Sequence, residues 1–483
     1  MAPFFAYVIA SVAGTSLAVS AVTFTIPSQA HTGSYKYAPV DPAPVGISFE
    51  FFAFPSYFTN VTATTQCLSN WKDLTGVWPP IRIGGTTQDR AQYDARTSAY
   101  VVYTVANAAD APSSLTFGSS FMTLASRYGG SVVVGLNRGK NNLQNTIDAA
   151  KAAVNEMSNL LAIELGNEPE YYPSGGQPIA SGIWNPSVDA ASQNNWAISV
   201  GSAVNKRDII QAGNSNDSPP KWGAAELIAT QNATVKQYIH NYAHHNYPGG
   251  TVTSLMSHSG ISRNIHVFDA DVAAALKEGK QYIFGETNSG IFGWWGRIGL
   301  ADFWCGTMDY GLRAPSDIQQ YLTYLFPSWN GRQLQYCFWG RYSMGAPYYG
   351  AYTATAFMAN AASLTALDDG NSNYATYVAF DSAGAPLRAL LYNSDYYSGS
   401  GTRPSQPFVL RGLTGSSVRA KRLTGDSAVA RVDQGGKVTF GGQTFTNGDC
   451  KISGSETFEP LAVSDGQATV SVKASEALLV YLQ

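Results

Sequence analysis

A (β/α)8 barrel followed by an all-β sandwich is the fold this chain predicts, and three observations carry that expectation. Apolar runs of strand length alternate with helical stretches between residues 45 and 368, the pattern of a barrel or a doubly wound sheet. Two of those runs end in a glutamate: residues 160–165 lead into Gly166, Asn167 and Glu168, and residues 281–285 lead into Glu286. Barrels collect functional side chains at these carboxyl ends of their strands. Beyond Asp369, Gly370, Asn371 and Ser372 the strand-like pieces become short and turn-separated, which reads as a sandwich.

Taken in order, residues 1–21 carry no charged side chain, and an apolar run at 4–13 precedes the small residues Val19, Ser20 and Ala21. This predicts a secretory signal peptide. The rival, a membrane anchor, fits poorly because Gly14, Thr15, Ser16 and Ser20 interrupt it. Residues 22–40 combine an alternating β-branched stretch at 22–27, expected to pair with the C-terminal domain, with a Pro/Gly/Ser-rich linker. The barrel is expected over 41–370. Its strands fall at 45–51, 80–85, 132–137, 160–165, 208–213, 238–245, 281–286 and 334–340, each a short apolar run. Helical periodicity places helices at 62–74, 143–158, 188–204, 264–278 and 353–367. The sandwich is expected over 371–483, with strands at 374–380, 387–392, 407–410, 418–423, 437–440 and 477–482.

Composition narrows the function classes. Charged residues make up 13% of the chain, about half the usual ~25%, and the net charge of −3 provides no basic field to attract nucleic acid. Aromatics reach 12%, with 28 Tyr and 10 Trp; most serve the core, but such rings also line sugar sites with a flat apolar face and a polar handle. Past the signal region nothing is long and apolar enough to span a membrane. Secretion agrees with glycosylation sequons at Asn60, Asn232 and Asn216, the last followed by Pro219. Cys67, Cys305, Cys337 and Cys450 allow three pairings, and no spacing suggests zinc. No metal or cofactor is expected.

A single strand-end glutamate is more often a solvated charge or a helix cap than a chemical group. Two of them, after the fourth and seventh strands, meet a specific requirement. Retaining glycoside hydrolysis needs an acid/base carboxyl facing the leaving oxygen and a nucleophilic carboxylate on the other side of the ring, roughly 5–5.5 Å apart. Glu168 and Glu286 suit those roles, and Asn167 suits a hydrogen bond to the sugar's 2-hydroxyl. Glu164 lies inside its strand and Glu170 follows Pro169, so both fit the geometry less well.

Asn167-Glu168-Pro169, Glu286, the run Arg82-Ile83-Gly84-Gly85-Thr86 after the second strand, and the run from Ala243 through His244, His245 and Asn246 to Tyr247 and Pro248 resemble glycoside hydrolase family 79. That family contains β-glucuronidases and heparanases. The resemblance extends over the barrel and the trailing β-domain. It implies that Glu168 is the acid/base and Glu286 the nucleophile, and that Glu50, at the first strand's exit, holds ring hydroxyls. Glu50 could equally be half of a buried ion pair with Arg82. Tyr247, and less so His245, could position Glu286. Arg82 itself is a candidate substrate contact.

The resulting expectation is a secreted retaining exo-β-glucuronidase acting on terminal β-linked glucuronic acid, plain or 4-O-methylated. A uronate needs donors for its carboxylate, because stripping water from an unpaired charge costs several kcal/mol. Arg341 and Tyr342, after the eighth strand, are the candidates. Two alternatives stand beside this reading. A heparanase-like endo-enzyme should show clusters of basic residues, whereas the chain has only pairs such as Lys206-Arg207. A non-catalytic sugar-binding protein would not need both glutamates and Asn167.

Overall fold

The computed structural model describes residues 20–106, 111–172, 184–247, 252–287, 307–312, 338–432 and 435–483. Seven parallel strands pair in sequence order: Val45–Glu50, Ile81–Gly84, Val132–Leu136, Leu160–Leu165, Ile210–Ser215, Ile239–Asn246 and Gln281–Thr287. A segment at Thr307–Leu312 closes the barrel and runs antiparallel to both of its neighbours. The first and third strands are buried along their whole length, as expected where helices cover one face of a parallel sheet and the barrel interior covers the other. Inside, Val133, Ala162, Ala243 and Ile283 form a small apolar layer. Other inward positions are polar, with Ser48, Arg82, Glu164 and Gln211 joined by hydrogen bonds.

The second domain is a sandwich. Its small sheet joins Val22–Thr25, Ser405–Arg411 and Gln467–Lys473, so the N-terminal stretch at 22–25 pairs with the C-terminal domain as its pattern predicted. Gln467–Lys473 alternates exposed and buried along its length, the signature of a strand with one solvated face. The larger sheet contains Tyr374–Phe380, Pro386–Asn393, Ser417–Gly425 and Glu476–Tyr481. Val378, Phe380, Leu391, Phe408, Leu410, Val472 and Val480 form the apolar core between the sheets.

Four boundaries differ from expectation. The eighth barrel strand, expected at 334–340, is not a ladder strand where it is described. Residues 334–337 lie outside the described residues; Trp339 forms only an isolated bridge with Met344, and Phe338 and Trp339 pack on Trp71. Aromatic content alone cannot separate a strand from a packed turn. The helix expected at 353–367 runs instead from Ala346 to Met358 with all thirteen residues buried. A helix buried all round has no amphipathic stripe from which its ends can be read. Ser363–Ala366 then pairs with Ala38–Pro39 in the large sheet, so the sandwich begins near residue 363 rather than 371. Finally, the helix expected at 264–278 is two, His258–His266 and Asp269–Lys277. They part at Phe268, whose side chain is fully buried against Phe284, and Asp269 and Asp271 begin the second helix, where the dipole favours acids.

The domains are bound along the barrel helix Thr62–Thr75. Its Cys67 forms a disulfide with Cys450 of the sandwich, and Asn70 donates through Nδ2 to the Cys450 carbonyl at 2.8 Å. This settles one of the pairings left open by the sequence; Cys305 and Cys337 lie outside the described residues. So do residues 1–19 of the expected signal peptide. Among the described residues no helix is long and apolar enough to cross a membrane.

Candidate active site

At the carboxyl-terminal mouth of the barrel, strand ends bring together groups that are far apart in sequence. Glu168 follows the fourth strand, His245 lies near the end of the sixth and Glu286 lies in the seventh. One ligand-type atom from each of these three residues lies within 4.8 Å of the others. One oxygen of each carboxyl thus lies within 4.8 Å of the other's, in keeping with the roughly 5–5.5 Å separation of retaining enzymes. Three such groups could also bridge a cation, but the Arg82 guanidinium already supplies positive charge there.

The turn carrying Glu168 is held in an uncommon conformation. Gly166 has φ 81°, and a Cβ there would fall 2.2 Å from the Tyr172 hydroxyl. Glu168 has φ 46° and ψ 62°, the left-handed region that non-glycine residues seldom occupy. Its backbone is fixed on both sides: the N–H donates to Asn214 O at 3.0 Å, and the carbonyl accepts from Tyr171 N–H. The side chain, 15% exposed, accepts from or donates to His245 Nδ1 at 2.8 Å.

Glu286 sits in different surroundings. It accepts from Tyr247 Oη at 2.6 Å and from Arg82 Nη1 at 2.5 Å, with His245 Nδ1 3.7 Å away. The two glutamates are consequently pushed apart in acidity. Burial raises Glu168, and the His245 contact only partly opposes this. Burial also acts to raise Glu286, but His245, Arg82 and Tyr247 outweigh it and hold the carboxyl below its ordinary value. One carboxyl raised beside another lowered is the direction of difference that acid/base work by paired carboxyls uses.

Arg82 is fully buried, and its position corrects two expectations. It bonds Glu164 through Nε at 2.7 Å and again through Nη2, Asn167 Oδ1 through Nη2 at 3.0 Å, and Ser48 through Nη1 at 2.9 Å. With these partners and Glu286 it holds the site from beneath and does not present a donor to substrate. Nor does it pair with Glu50. The Glu50 Oε1 atom accepts from the Thr87 N–H and hydroxyl, while Oε2 is buried with no partner among the described residues. Burial, against the Thr87 contacts, pushes Glu50 up to about 7. Gly85, at φ 85°, makes room for it, since a Cβ there would lie 2.1 Å from Oε2. An orphaned buried oxygen at a strand exit suits a hydroxyl-bearing ligand.

Asn167 is buried at the mouth with its amide orientation set by Arg82, and Tyr247 reaches Glu286, as expected. Arg341 and Tyr342 do not join the cluster. Tyr342 is 59% exposed with Arg341 stacked on its ring at 5.3 Å, and the neighbouring Met344 N–H is tied to Asn447 of the sandwich. Trp294 and Trp295, adjacent indoles whose sequence alone suits either a sugar-stacking platform or a packed loop anchor, lie outside the described residues. Asn60 and Asn232 are exposed, but Asn216 is 9% exposed, with its N–H on Glu170 and its carbonyl on Tyr171 Oη. That burial counts against it as a glycan carrier.

Two contributions, those of Glu164 and Asp89, were missed in the sequence, and that of His245 was ranked below Tyr247. Glu164, weighed only as a rival to Glu168, is the buried counter-charge of Arg82; its alternation with Ala162 along the strand could have turned it inward. His245 links both glutamates, whereas His244, on the opposite face, contacts Asp217 O and is lowered to about 3 by burial. Asp89 ties three loops together, and no local pattern marked it.

Comparisons with known proteins bear on the family and the fold. Residues 374–479 match the family model described as the glycosyl hydrolase family 79 C-terminal beta domain. A crystal structure of a 4-O-alpha-L-rhamnosyl-beta-D-glucuronidase from Fusarium oxysporum 12S is 47% identical, covering 95% of this chain and 100% of that one, with a TM-score of 0.86. A beta-glucuronidase of Aspergillus niger is 29% identical over 286 residues, 51% of each chain. One of Neurospora crassa is 26% identical over 373 residues, 66% of this chain and 64% of that one. The matched stretches thus span about half and just under two thirds of these two curated relatives.

Proposed function

The chain belongs to glycoside hydrolase family 79, and from that premise we propose that it is a retaining β-glucuronidase removing β-linked glucuronosyl units from glycan ends. The observation that carries this is the pair Glu168 and Glu286, drawn together from opposed strand ends and driven to different acidities by different neighbours. In the first step Glu168 donates its proton to the glycosidic oxygen while Glu286 attacks the anomeric carbon, breaking the bond to the leaving group. In the second, Glu168 takes a proton from water, which displaces Glu286. Asn167 and the free oxygen of Glu50 are proposed to hold ring hydroxyls.

The Fusarium relative supports a finer reading, that the glucuronosyl unit carries a rhamnosyl group at O4. Secretion is supported by the Cys67–Cys450 disulfide, which fits an oxidising compartment, and glycan attachment by the exposed Asn60 and Asn232.

The test is a panel of aryl β-glucuronide, its 4-O-α-L-rhamnosyl derivative, aryl β-glucoside and aryl β-xyloside, with NMR of the first anomer released. The reading expects the β-anomer and a preference for glucuronides, greatest for the rhamnosylated one. Release of the α-anomer would remove the double displacement, and a preference for the glucoside would remove the substrate class.

A further inference from the structure

The second strand is followed by a single tight turn, Thr86–Arg90, and one carboxylate in it joins the loops of three strands. Asp89 Oδ1 accepts from the N–H groups of Arg138 and Gly139, each at 2.8 Å, in the loop after the third strand. Asp89 Oδ2 accepts from the Asn167 N–H at 2.7 Å and from the Tyr172 hydroxyl at 2.8 Å. Those last two donors bracket Glu168 in sequence. The same Tyr172 hydroxyl lies where a side chain at Gly166 would have to go. Gly166, Asn167 and the strained Glu168 are thus pressed into place from one side by the Asp89–Tyr172 pair and from the other by Asn214.

Four donors converge on one carboxylate, and three of them are main-chain N–H groups that cannot rotate away. An amide cannot replace this. Whichever oxygen becomes NH2, it faces at least one of those N–H groups, donor against donor.

We infer that Asp89 is a positioning residue for the Asn167–Glu168 turn, holding Glu168 where it can protonate the leaving oxygen, without itself touching substrate. This rests on the acid/base role proposed for Glu168. A positioning role has a signature that loss of stability lacks. A 2,4-dinitrophenolate leaves without a proton, whereas an alkoxide needs one, so misplacing the acid should penalise only the second.

The experiment compares kcat/KM on 2,4-dinitrophenyl and alkyl β-glucuronides for the wild type, Asp89→Asn, Tyr172→Phe and Glu168→Ala, with thermal melts for each. For Asp89→Asn the expected loss is about 10–100-fold on the alkyl substrate and under about threefold on the dinitrophenyl one. Tyr172→Phe, which removes one donor and no charge, should show the same bias at a few-fold. Azide should raise kcat of Asp89→Asn on the dinitrophenyl substrate. It attacks the anomeric carbon of the glycosyl–Glu286 ester, releases the carboxylate, and gives the β-azide without needing a base. Equal losses on both substrates, or none, in Asp89→Asn would overturn the inference. Should that variant not fold, Tyr172→Phe decides by the same criterion. Glu168→Ala separates the two levels: if it shows the leaving-group bias and Asp89→Asn does not, only the role of Asp89 falls. If Glu168→Ala shows no bias, the acid/base assignment falls and takes the inference with it.

Discussion

The mouth of the barrel and the core of the sandwich are both buried, yet they are built from opposite materials. In the sandwich, Leu391, Phe408, Val472 and Val480 meet side to side with almost no exposure, and their burial contributes directly to stability. At the barrel mouth Arg82, Glu164, Glu286 and His245 are equally enclosed. Charges taken out of water are costly even when paired, so this arrangement is poor at stabilising the fold and well suited to shifting acidities. The comparison teaches that equal burial serves stability in one domain and chemistry in the other.

The strongest way to sharpen that contrast is Glu286→Ala. We expect kcat/KM to fall by at least about four orders of magnitude while the melting temperature holds or rises. Azide should restore turnover with formation of the α-azide. Activity near wild type would break the comparison at its centre. Next comes Arg82→Met, which leaves Glu164 and Glu286 facing each other without their cation. Denaturant unfolding should show a loss of about 3–5 kcal/mol; an unchanged midpoint would mean that Arg82 is not the counter-charge. In the sandwich, Leu391→Ala should cost about 2–5 kcal/mol but leave kcat/KM of the folded protein unaltered, as activity normalised to folded fraction would reveal.

The smallest effect is read against pH. Glu50 stands at about 7 when folded and 4.5 ordinarily. Between those values the folded state keeps a proton that the unfolded chain has released, so stability falls as pH rises from about 4.5 to about 7. Above that range the linkage reaches ~3 kcal/mol at most. Glu50→Gln should remove this share of the decline, so the drop in melting temperature between pH 5 and pH 8 should shrink. An identical decline in the variant would locate the effect elsewhere, with Glu170, raised to about 8, as the next candidate.

Much of this was legible in the linear chain. The seven parallel strands, the two glutamates at strand ends and the return of residues 22–25 to the sandwich all follow from patterns local to a few residues: apolar runs, their breakers, and alternation. Where pattern was weak, legibility failed. The fully buried helix Ala346–Met358 offered no stripe, and the aromatic turn at Phe338 and Trp339 looked like a strand.

The tertiary structure alone decided which groups face one another. Arg82 was read as a substrate contact and is a buried clamp on Glu286; Arg341 and Tyr342 were read as a carboxylate pocket and lie exposed on a turn beside the sandwich. Asp89 showed no motif because its partners lie in the loops of two other strands. The physical reason is common to all of these. A strand end can be recognised from its own residues, whereas a hydrogen bond or an acidity shift depends on distances between segments that only barrel closure determines.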